Sequence, residues 1–442
     1  MKTSHGEYRR HFRTGIRIPV TVDIANQSRS TSTLNLSFSG LRLAKPEDLS
    51  LEPGQALNIQ FSRPGNFRVP ARVVHVGEHH VGLKLYRARL TDNDIDNLVQ
   101  AAPFSQRARV YLRRAAWKGS RRAGVLGANT LLRPLLLKWV RPSFLFAVYG
   151  SARDVQTYYT PTMEKLLPDT IIGGVIQNRG RRGLLVASKY LESELAQDSE
   201  KVQEYIGHLR RDYPEVRCIA LVGRLPNFTM KAGIPIEPPL VDGSMGTRYM
   251  IWEAVRKMKE MTPYQHEQGI TVLGGAGRIG NLVCEDLLDL FPKVYGFDPR
   301  YQEEQRLDRG QGTIIRTANR ERLADHRLFV ALTHHGDVIR DLVDAMPPGA
   351  LIADDTHPCI SLEVRELLET HRIQTLKIVL THHLFSMWPR MPAWNNRDIP
   401  GCLVEALVLL EQDETNLSHF PSFRQTARRL GFQGRLVEPL DE

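Results

Sequence analysis

Hydrophobic residues follow two different patterns along the 442-residue chain. Over residues 1–100, apolar and polar positions alternate in short runs, as they do in strands that bury one face. Strands of this length and spacing predict a small antiparallel barrel. The predicted strands are Ile16–Ile24, Leu34–Leu43, Leu57–Phe61, Val69–Val76 and Val81–Leu85, and a short helix is predicted over Asp94–Ala101.

From residue 143 onward, short continuous apolar runs alternate with helical periodicity, which is typical of α/β sheets with parallel strands. Several of these runs end in polar clusters, and a doubly wound sheet binds its ligands at the carboxyl ends of such strands. The predicted strands are Phe144–Tyr149, Ile171–Val175, Leu184–Ala187, Cys218–Val222, Leu328–Leu332, Ala350–Ala353 and Leu376–Leu380, and helices are predicted over Tyr249–Met261 and Leu403–Leu410.

One stretch, Gly269–Arg300, contains the parts of a dinucleotide-binding unit in order. A β-branched run leads into a glycine-rich turn, an amphipathic helix follows, and a second apolar run ends at Asp298. The glycines allow a tight turn and a close approach of backbone N–H groups to a pyrophosphate. The alternative is a glycine-rich turn in an ordinary α/β unit. The predicted cofactor contacts are Gly275, Gly277, Arg278, Ile279, Gly280 and Asp298.

The choice between NAD and NADP is left open by two charged residues. Asp298 is placed to bind the ribose hydroxyl groups and would repel a 2′-phosphate, which slightly favours NAD. Arg300, two residues further on, weakens that preference.

These patterns predict a multidomain chain, in which a small antiparallel barrel precedes a two-lobed α/β region with a doubly wound Rossmann domain. The predicted boundaries are 1–100 for the barrel, 101–142 for a basic amphipathic linker, 143–262 for a substrate-side lobe and 263–435 for the Rossmann lobe.

The composition of the chain favours a location in the cytoplasm. Hydrophobic residues make up 42% of the chain and charged residues 24%, which is ordinary for globular proteins. Four scattered cysteines without metal-ligand spacing favour a reducing compartment. The chain begins without the apolar segment of a signal peptide, and no run reaches the ~20 apolar residues of a membrane span. We expect a cytoplasmic protein, with peripheral contact to the inner membrane as an extension of that prediction.

Positive charge is concentrated in the linker. Eight arginines and two lysines lie between Ser105 and Arg141 without any acidic residue, and they equal the net charge of +10 of the whole chain. We predict a helix over Gln106–Lys118 that Gly119 and Ser120 end. Packing against neighbouring domains is the simplest interpretation, a membrane surface is the second, and nucleic acid is the least favoured.

Two short motifs accompany the barrel pattern, an RxxxR segment near the N-terminus and an NxSxxG segment on a strand. Guanidinium groups bind phosphates and stack on guanine rings, and a glycine permits close backbone approach. With these motifs, residues 6–100 resemble the PilZ domain, a receptor module for cyclic di-GMP. A basic tail beside a chance turn is the alternative. The resemblance implies that cyclic di-GMP contacts Arg9, Arg10, Arg13, Asn35, Ser37 and Gly40.

The region from Phe144 to Gln433 carries five segments in the order and spacing of another family. They are Phe146–Gly150, Asp242–Thr247, Val272–Gly280, Gly401–Ala406 and Gly431–Gln433. In this respect the region resembles the long-chain acyl–acyl-carrier-protein reductases, which make fatty aldehydes. The resemblance implies that Cys402 takes an acyl group from acyl carrier protein or acyl-CoA as a thioester, which reduced nicotinamide converts to an aldehyde. That family prefers NADPH, and a shikimate-dehydrogenase-like architecture would give the same strand order.

Cys402 follows Pro400-Gly401 and begins an apolar helix, where a helix N-terminus lowers a thiol pKa. A buried, inert cysteine is the alternative. Cys359 is a weaker nucleophile candidate, and His334 and His382 are candidate proton donors at strand ends. No metal site is expected, because the adjacent histidines lack a carboxylate at ligand spacing. A non-catalytic effector of cyclic di-GMP, whose Rossmann lobe senses a dinucleotide or binds a partner, is the alternative to an enzyme.

Overall fold

The computed structural model describes residues 15–24, 27–37, 40–45, 50–61, 67–85, 97–100, 102–150, 158–262, 264–389, 397–411 and 419–438. The chain divides after Arg121 into two compact units. Within the described part of the chain, no helix combines the length and the apolar character needed to cross a bilayer.

The first unit contains a small barrel. Its strands are β1 (Pro19–Ile24), β2 (Gln27–Ser37), β3 (Gly40–Ala44), β4 (Ala56–Phe61), β5 (Phe67–Val76) and β6 (His80–Leu85). They pair antiparallel in the closed order β1-β2-β3-β6-β5-β4, so the predicted barrel is confirmed. Alternating residues fill it, since Val20 and Val22 are buried while Thr21 and Asp23 are partly exposed.

Two predicted elements of this unit differ from the structure. The segment Leu34–Leu43, which we predicted as one strand, is a hairpin in which Ser37 of β2 pairs with Gly40 of β3. The predicted helix over Asp94–Ala101 is helical at residues 97–100, and its other residues lie outside the described ones.

The second unit contains two sheets. Its strands are β7 (Phe144–Gly150), β8 (Thr170–Asn178), β9 (Arg181–Leu191), β10 (Cys218–Leu221), β11 (Leu240–Val241), β12 (Gly269–Leu273), β13 (Lys293–Phe297), β14 (Gln305–Arg309), β15 (Gly312–Thr317), β16 (Leu328–Ala331), β17 (Leu351–Asp354), β18 (Gln374–Thr381), β19 (Ser386–Trp388), β20 (Asp398–Ile399) and β21 (Gln433–Val437). Most predicted strands therefore agree with observed ones to within a few residues.

Helices connect these strands. The α-helices are α1 (Phe104–Asn129), α2 (Arg133–Val140), α3 (Pro161–Glu164), α4 (Glu192–Gln197), α5 (Ser199–Asp212), α6 (Leu225–Lys231), α7 (Ser244–Glu260), α8 (Arg278–Asp286), α9 (Leu362–Thr370), α10 (Gly401–Leu409) and α11 (Phe420–Arg429). The 3-10 helices among the described residues are Tyr264–His266, Leu287–Asp289, Arg320–Asp325 and Gly336–Ala345.

Helix α1 continues through Gly119 and Ser120, so the predicted break there is wrong. A glycine inside a helix costs only about 1 kcal/mol relative to alanine, and the alanines, leucines and arginines around it favour the helix. Glycine alone therefore did not justify a boundary.

The sheet of the Rossmann lobe has the strand order β14-β15-β13-β12-β16-β17-β18-β20, with β21 also paired to β18. Its six parallel strands, from β15 to β18, follow the 3-2-1-4-5-6 order of doubly wound dinucleotide-binding folds. The predicted Rossmann fold is confirmed. The glycine-rich turn follows β12, which is the first strand of this order and lies at the topological switch point.

The other sheet has the order β11-β10-β7-β9-β8-β19 and lies in the substrate-side lobe. Its last strand, β19, comes from Ser386–Trp388, far beyond residue 262 in the chain. The two lobes therefore share this sheet.

Helix α7 joins the lobes, and all of its central residues from Tyr249 to Val255 are buried. Tyr249 anchors it, because its hydroxyl donates to the backbone oxygen of Phe432 at 2.7 Å. The N-terminus of α7 meets the N-terminus of α10, where a Cβ atom added at Gly246 would lie 2.1 Å from the oxygen of Gly401. This contact positions Cys402.

Candidate functional site

The glycine-rich turn has no space for side chains. A Cβ atom at Gly275 would lie 2.7 Å from the Cα of Gly296, and one at Gly280 would lie 2.2 Å from the oxygen of Gly274. Gly274 itself has a φ of 89°, in the left-handed region that favours glycine. The residue types at this turn are therefore required by the close packing of α8 against β12 and β13.

Gly277 is the N-cap of α8, and no side chain among the described residues caps this helix. Arg278, Ile279 and Gly280 form its first turn, whose N–H groups have no partner within the helix. A helix N-terminus with free donors and a positive dipole suits a phosphate group. The predicted cofactor residues are thus brought together at one end of α8.

Asp298 follows β13 and is 4% exposed. Its Oδ2 accepts hydrogen bonds from the N–H of Ala276 at 3.2 Å and from Arg300 Nη2 at 2.8 Å. Burial acts to raise the pKa of Asp298, but the hydrogen bonds from Arg300 and Ala276 outweigh it and hold the pKa below its usual value. Asp298 is therefore an anion at the edge of the glycine turn.

An ion pair connects the glycine turn to the substrate-side lobe. Arg278 Nη1 donates to Asp242 Oδ2, while Asp242 Oδ1 accepts from the N–H of Ser244 at 2.9 Å. Burial acts to raise the pKa of Asp242, but these contacts outweigh it and lower the pKa. The next residue, Gly243, has a φ of 73°, and a Cβ atom there would lie 2.4 Å from the Cβ of Cys402.

Cys402 is the second residue of α10 and is partly exposed. The N-terminal position that we predicted for it is therefore confirmed. Burial nevertheless raises the pKa of its thiol to about 12, and the carboxyl group of Asp355 adds to this rise. A hydrogen bond from the N–H of Gly223 only partly opposes the effect. The prediction that the helix N-terminus lowers this pKa is wrong for this conformation, because desolvation outweighs the dipole.

Glu405 lies one turn further along α10, and we did not predict a role for it. Its Oε2 accepts from the N–H groups of Met245 at 2.7 Å and Gly246 at 3.3 Å, in the first turn of α7. Burial raises the pKa of Glu405 to about 7. The signal in the sequence was that Glu405 is the one charged residue in the apolar segment Gly401–Leu409.

A cavity of about 680 Å³ lies beside these residues. Apolar side chains, including those of Ile234, Ile236 and Leu240, line it, and Asp242 and Glu405 form part of its wall. An apolar cavity with a few converging polar groups is the usual form of a small-molecule site.

The end of β17 carries a second group of titratable residues. Asp354 is buried and accepts from the N–H and hydroxyl of Thr356 at 2.9 and 2.7 Å. Burial and the neighbouring Asp354 raise the pKa of Asp355 to about 8. His357 Nε2 lies 3.9 Å from Asp355 Oδ1, and desolvation with the positive charge of Lys377 lowers the pKa of this histidine.

The two candidate proton donors differ in their surroundings. His334 is exposed after β16. His382 is 1% exposed, its Nε2 lies 3.0 Å from the oxygen of Leu430, and its Nδ1 accepts from the N–H of Leu384 at 3.2 Å. Both ring nitrogens of His382 are engaged by the backbone, so the prediction that it donates to a substrate does not fit this structure.

The remaining three cysteines differ in their burial. Burial raises the pKa of Cys218 to about 11 and that of Cys284 to about 12, and both belong to the core as predicted. Cys359 is partly exposed in the loop after β17. Among the residues that the structure describes, no group of three or more His, Cys, Asp or Glu side chains is suited to a metal ion.

Of the barrel residues that are predicted to bind cyclic di-GMP, Arg9, Arg10 and Arg13 lie outside the described residues. Ser37 Oγ donates to the oxygen of Gly40 at 2.9 Å and so closes the β2–β3 hairpin. Asn35 Oδ1 is buried and has no hydrogen-bond partner among the described residues. An unpaired amide oxygen is unfavourable unless a ligand or another group satisfies it.

Comparison with known protein families gives a match for the N-terminal part of the chain. Residues 7–101 match the family model of the PilZ domain. No curated protein matches the chain. Solved structures similar to parts of it include Escherichia coli YcgR in complex with c-di-GMP, which is 18% identical over 25% of this chain and 49% of that protein, with a TM-score of 0.18.

Two further solved structures are similar to parts of the chain. The Bacillus subtilis inhibitor of motility is 18% identical over 22% of this chain and 49% of its own, with a TM-score of 0.18. The chain therefore spans about half the length of this protein and of YcgR. L-tryptophan dehydrogenase from Nostoc punctiforme is 8% identical over 65% of this chain and 79% of its own, with a TM-score of 0.32.

Proposed function

We propose that the chain is an NAD(P)-dependent oxidoreductase whose activity responds to cyclic di-GMP. The observation that carries this proposal is the glycine turn between β12 and α8. A Cβ atom at Gly275 or Gly280 would overlap backbone atoms, and the turn leads to uncapped N–H groups beside the Asp298 carboxylate.

A nicotinamide dinucleotide fits these residues. The N–H groups of the first turn of α8 would bind the pyrophosphate, and Asp298 would accept from the ribose hydroxyls. The bound cofactor would supply a hydride. Arg278 would hold the Asp242 turn against the glycine turn, so that the substrate-side lobe closes over the cofactor domain.

In the barrel, we propose that cyclic di-GMP binds across β2 and β3. The match of residues 7–101 to the PilZ domain supports this. Asn35 offers an amide oxygen that has no partner among the described residues, and the hairpin closed by Ser37 and Gly40 gives the site a fixed backbone. Arg9, Arg10 and Arg13 would bind the phosphates and guanine rings.

We propose the reduction of a fatty acyl thioester as the reaction, with acyl carrier protein or acyl-CoA as donor. The Cys402 thiolate attacks the thioester carbon, the carbon–sulfur bond of the donor breaks, and the donor leaves as a thiol after taking up a proton. With the cofactor bound, its hydride would reduce the acyl carbon, so that the bond to Cys402 would break, an aldehyde would leave and Cys402 would return as a thiolate. The apolar cavity beside Asp242 and Glu405 has the chemistry to hold an acyl chain.

The alternative is a non-catalytic effector that binds both nucleotides and contacts a partner. One observation favours it, because a thiol with a pKa of about 12 is almost entirely protonated at neutral pH. For the enzyme, a base must therefore take the proton of Cys402 when the substrate binds. Asp355 is the candidate, because its carboxylate interacts with that thiol when ionised and its pKa of about 8 lies near the working pH of a general base.

Calorimetric titration of the full chain with cyclic di-GMP, NADH and NADPH tests the two nucleotide sites. Turnover is then measured as NAD(P)H oxidation with a long-chain acyl-CoA, with and without cyclic di-GMP. Cys402→Ser should keep cofactor affinity and lose turnover, whereas Cys218→Ser is the matched control with a buried thiol. Full turnover by Cys402→Ser excludes the thioester mechanism, and absence of dinucleotide binding excludes the oxidoreductase altogether.

A further inference from the structure

Helix α2, within the second unit, presents an apolar surface to solvent. Leu131 is 87% exposed, Leu135 65% and Trp139 62%, at intervals of four residues along one side of α2 and the turn before it. Leu132, which is 54% exposed, lies next to them. We call these four residues the leucine–tryptophan face. Contiguous apolar surface of this kind usually marks an interaction site.

The face cannot be buried by a simple rotation of the helix, because the opposite side is already anchored. Val140 is buried in the core of the substrate-side lobe, where Leu136 and Leu137 pack against it. Arg133 donates from Nη1 to the oxygen of Thr170 at 2.7 Å and from Nη2 to the hydroxyl of Tyr213 at 3.2 Å.

The preceding turn is fixed in a similar way. The side-chain oxygen of Asn129 accepts from the N–H of Ile172 at 2.6 Å, and its Nδ2 donates to the backbone oxygen of Ile172 at 3.0 Å. The hydrogen bonds of Asn129 and Arg133 and the burial of Val140 therefore keep the leucine–tryptophan face exposed to solvent.

Positive charges border this face. Lys138 and Arg141 are exposed on α2 and immediately after it. The guanidinium of Arg182 lies over the Trp139 ring, 5.2 Å from its centroid, and donates to the oxygen of Trp139 at 3.0 Å. Between Ser105 and Arg141 the sequence contains no acidic residue.

We propose that the leucine–tryptophan face binds the surface of a bilayer that contains anionic lipids. Leucine side chains would enter the acyl region, and tryptophan prefers the headgroup boundary. Lys138, Arg141 and Arg182 would meet the lipid phosphates, each worth about fivefold in affinity. A second copy of the chain is a poorer occupant, because a twofold interface would bring the same cations against each other. This inference does not depend on the proposed reaction.

The test is flotation of the full chain with vesicles of phosphatidylcholine alone or with 30% phosphatidylglycerol, at low and high salt. We expect binding to the anionic vesicles that weakens as salt rises. Leu131→Ser combined with Leu135→Ser should reduce the affinity at least about tenfold. Lys138→Gln combined with Arg141→Gln should reduce it by about twenty-fivefold at low salt.

The matched control is Leu166→Ser combined with Leu384→Ser, since these leucines are also exposed, at 63% and 50%, but lie elsewhere in the second unit. This variant should bind vesicles like the wild type. Brominated lipids should quench tryptophan emission, and Trp139→Phe should remove that quenching without changing the melting temperature.

Absence of binding to anionic vesicles overturns the proposal, as does an equal loss in the control variant. A third contrary result is a dimer in light scattering that the leucine variant converts to a monomer, without any vesicle binding, since the face would then be occupied by a second copy.

Discussion

Arg300 holds both oxygens of Asp298, with Nε 2.9 Å from Oδ1 and Nη2 2.8 Å from Oδ2. The carboxylate is buried, whereas the arginine side chain is 65% exposed. A cation thus covers the one acidic group that would otherwise repel a 2′-phosphate at this edge of the glycine turn. In the proposed dinucleotide site, this pair would allow either NAD or NADP to bind.

Arg300→Ala should therefore shift the preference toward NAD. A hydrogen bond to a charged group contributes about 1.5–3 kcal/mol, so we expect affinity for NADPH to fall roughly ten- to hundredfold while affinity for NADH changes little. Calorimetric titration of each cofactor measures this. Arg306→Ala is the matched control, since Arg306 is an exposed arginine paired with Asp308 elsewhere in the lobe. An unchanged ratio of the two affinities in Arg300→Ala contradicts the assignment.

Gly280→Ala should disrupt the glycine turn. Its Cβ atom would lie 2.2 Å from the oxygen of Gly274, so strand and helix must separate. Overpacking of this kind destabilises by about 1–3 kcal/mol, and dinucleotide affinity should fall below detection. Thermal unfolding and calorimetry measure the two effects. Gly207→Ala is the matched control in helix α5, where a Cβ atom meets nothing within 4 Å, and it should stabilise by about 0.5–1 kcal/mol.

Cys402 should react slowly with iodoacetamide in the free protein at pH 7. With a pKa of about 12, roughly 10⁻⁵ of the thiol is thiolate at that pH, and the rate should rise tenfold per pH unit as far as the fold survives. Peptide mapping by mass spectrometry follows the labelled residue. If substrate binding generates the thiolate, a non-hydrolysable acyl-CoA analogue changes the labelling rate. Rapid labelling of Cys402 at pH 7 without ligand is the contrary outcome.

Glu405 should make the stability of the second unit depend on pH. Its pKa of about 7 in the folded chain exceeds the usual value of 4.5, so its protonation favours folding. The contribution is fully present below pH 4.5 and is lost as the pH rises through 7. Glu405→Gln keeps an oxygen for the N–H groups of Met245 and Gly246, and should stabilise the protein at pH 8 by about 2 kcal/mol.

Chemical unfolding at pH 5 and pH 8 measures that difference between variant and wild type. Asp355 and His357 titrate in both proteins, so their effects cancel in the comparison. If the difference in free energy of unfolding between Glu405→Gln and the wild type is the same at pH 5 and at pH 8, then Glu405 is not protonated at neutral pH.

The parts of the candidate site that are contiguous in the chain could be predicted from the sequence. The parts that depend on contacts between distant residues could not. Gly275, Gly280 and Asp298 were recognisable because the strand, the turn, the helix and the acid follow one another within one stretch. Glu405 was missed because its partners, Met245 and Gly246, are about 160 residues away.

The same distinction explains the errors. The pKa of Cys402 was predicted in the wrong direction because burial depends on Gly243 and Gly223, which are distant in the chain. Gly119 does not break its helix, contrary to the prediction, because the surrounding helix formers outweigh one glycine.

Asn35 and Ser37 should separate ligand binding from stability in the barrel. Ser37→Ala removes the hydroxyl that donates to Gly40, and it should lower the free energy of unfolding by about 1 kcal/mol.

Asn35→Ala removes an amide oxygen that is unpaired among the described residues, so the stability of the barrel should hold or rise slightly. Its affinity for cyclic di-GMP should fall at least about tenfold, because a ligand that satisfies a buried acceptor contributes about 1–3 kcal/mol. Asn58→Ala, on strand β4, is the matched control and should keep wild-type affinity. Wild-type affinity in Asn35→Ala would mean that this oxygen faces another part of the chain and that cyclic di-GMP, where it binds, does so without it.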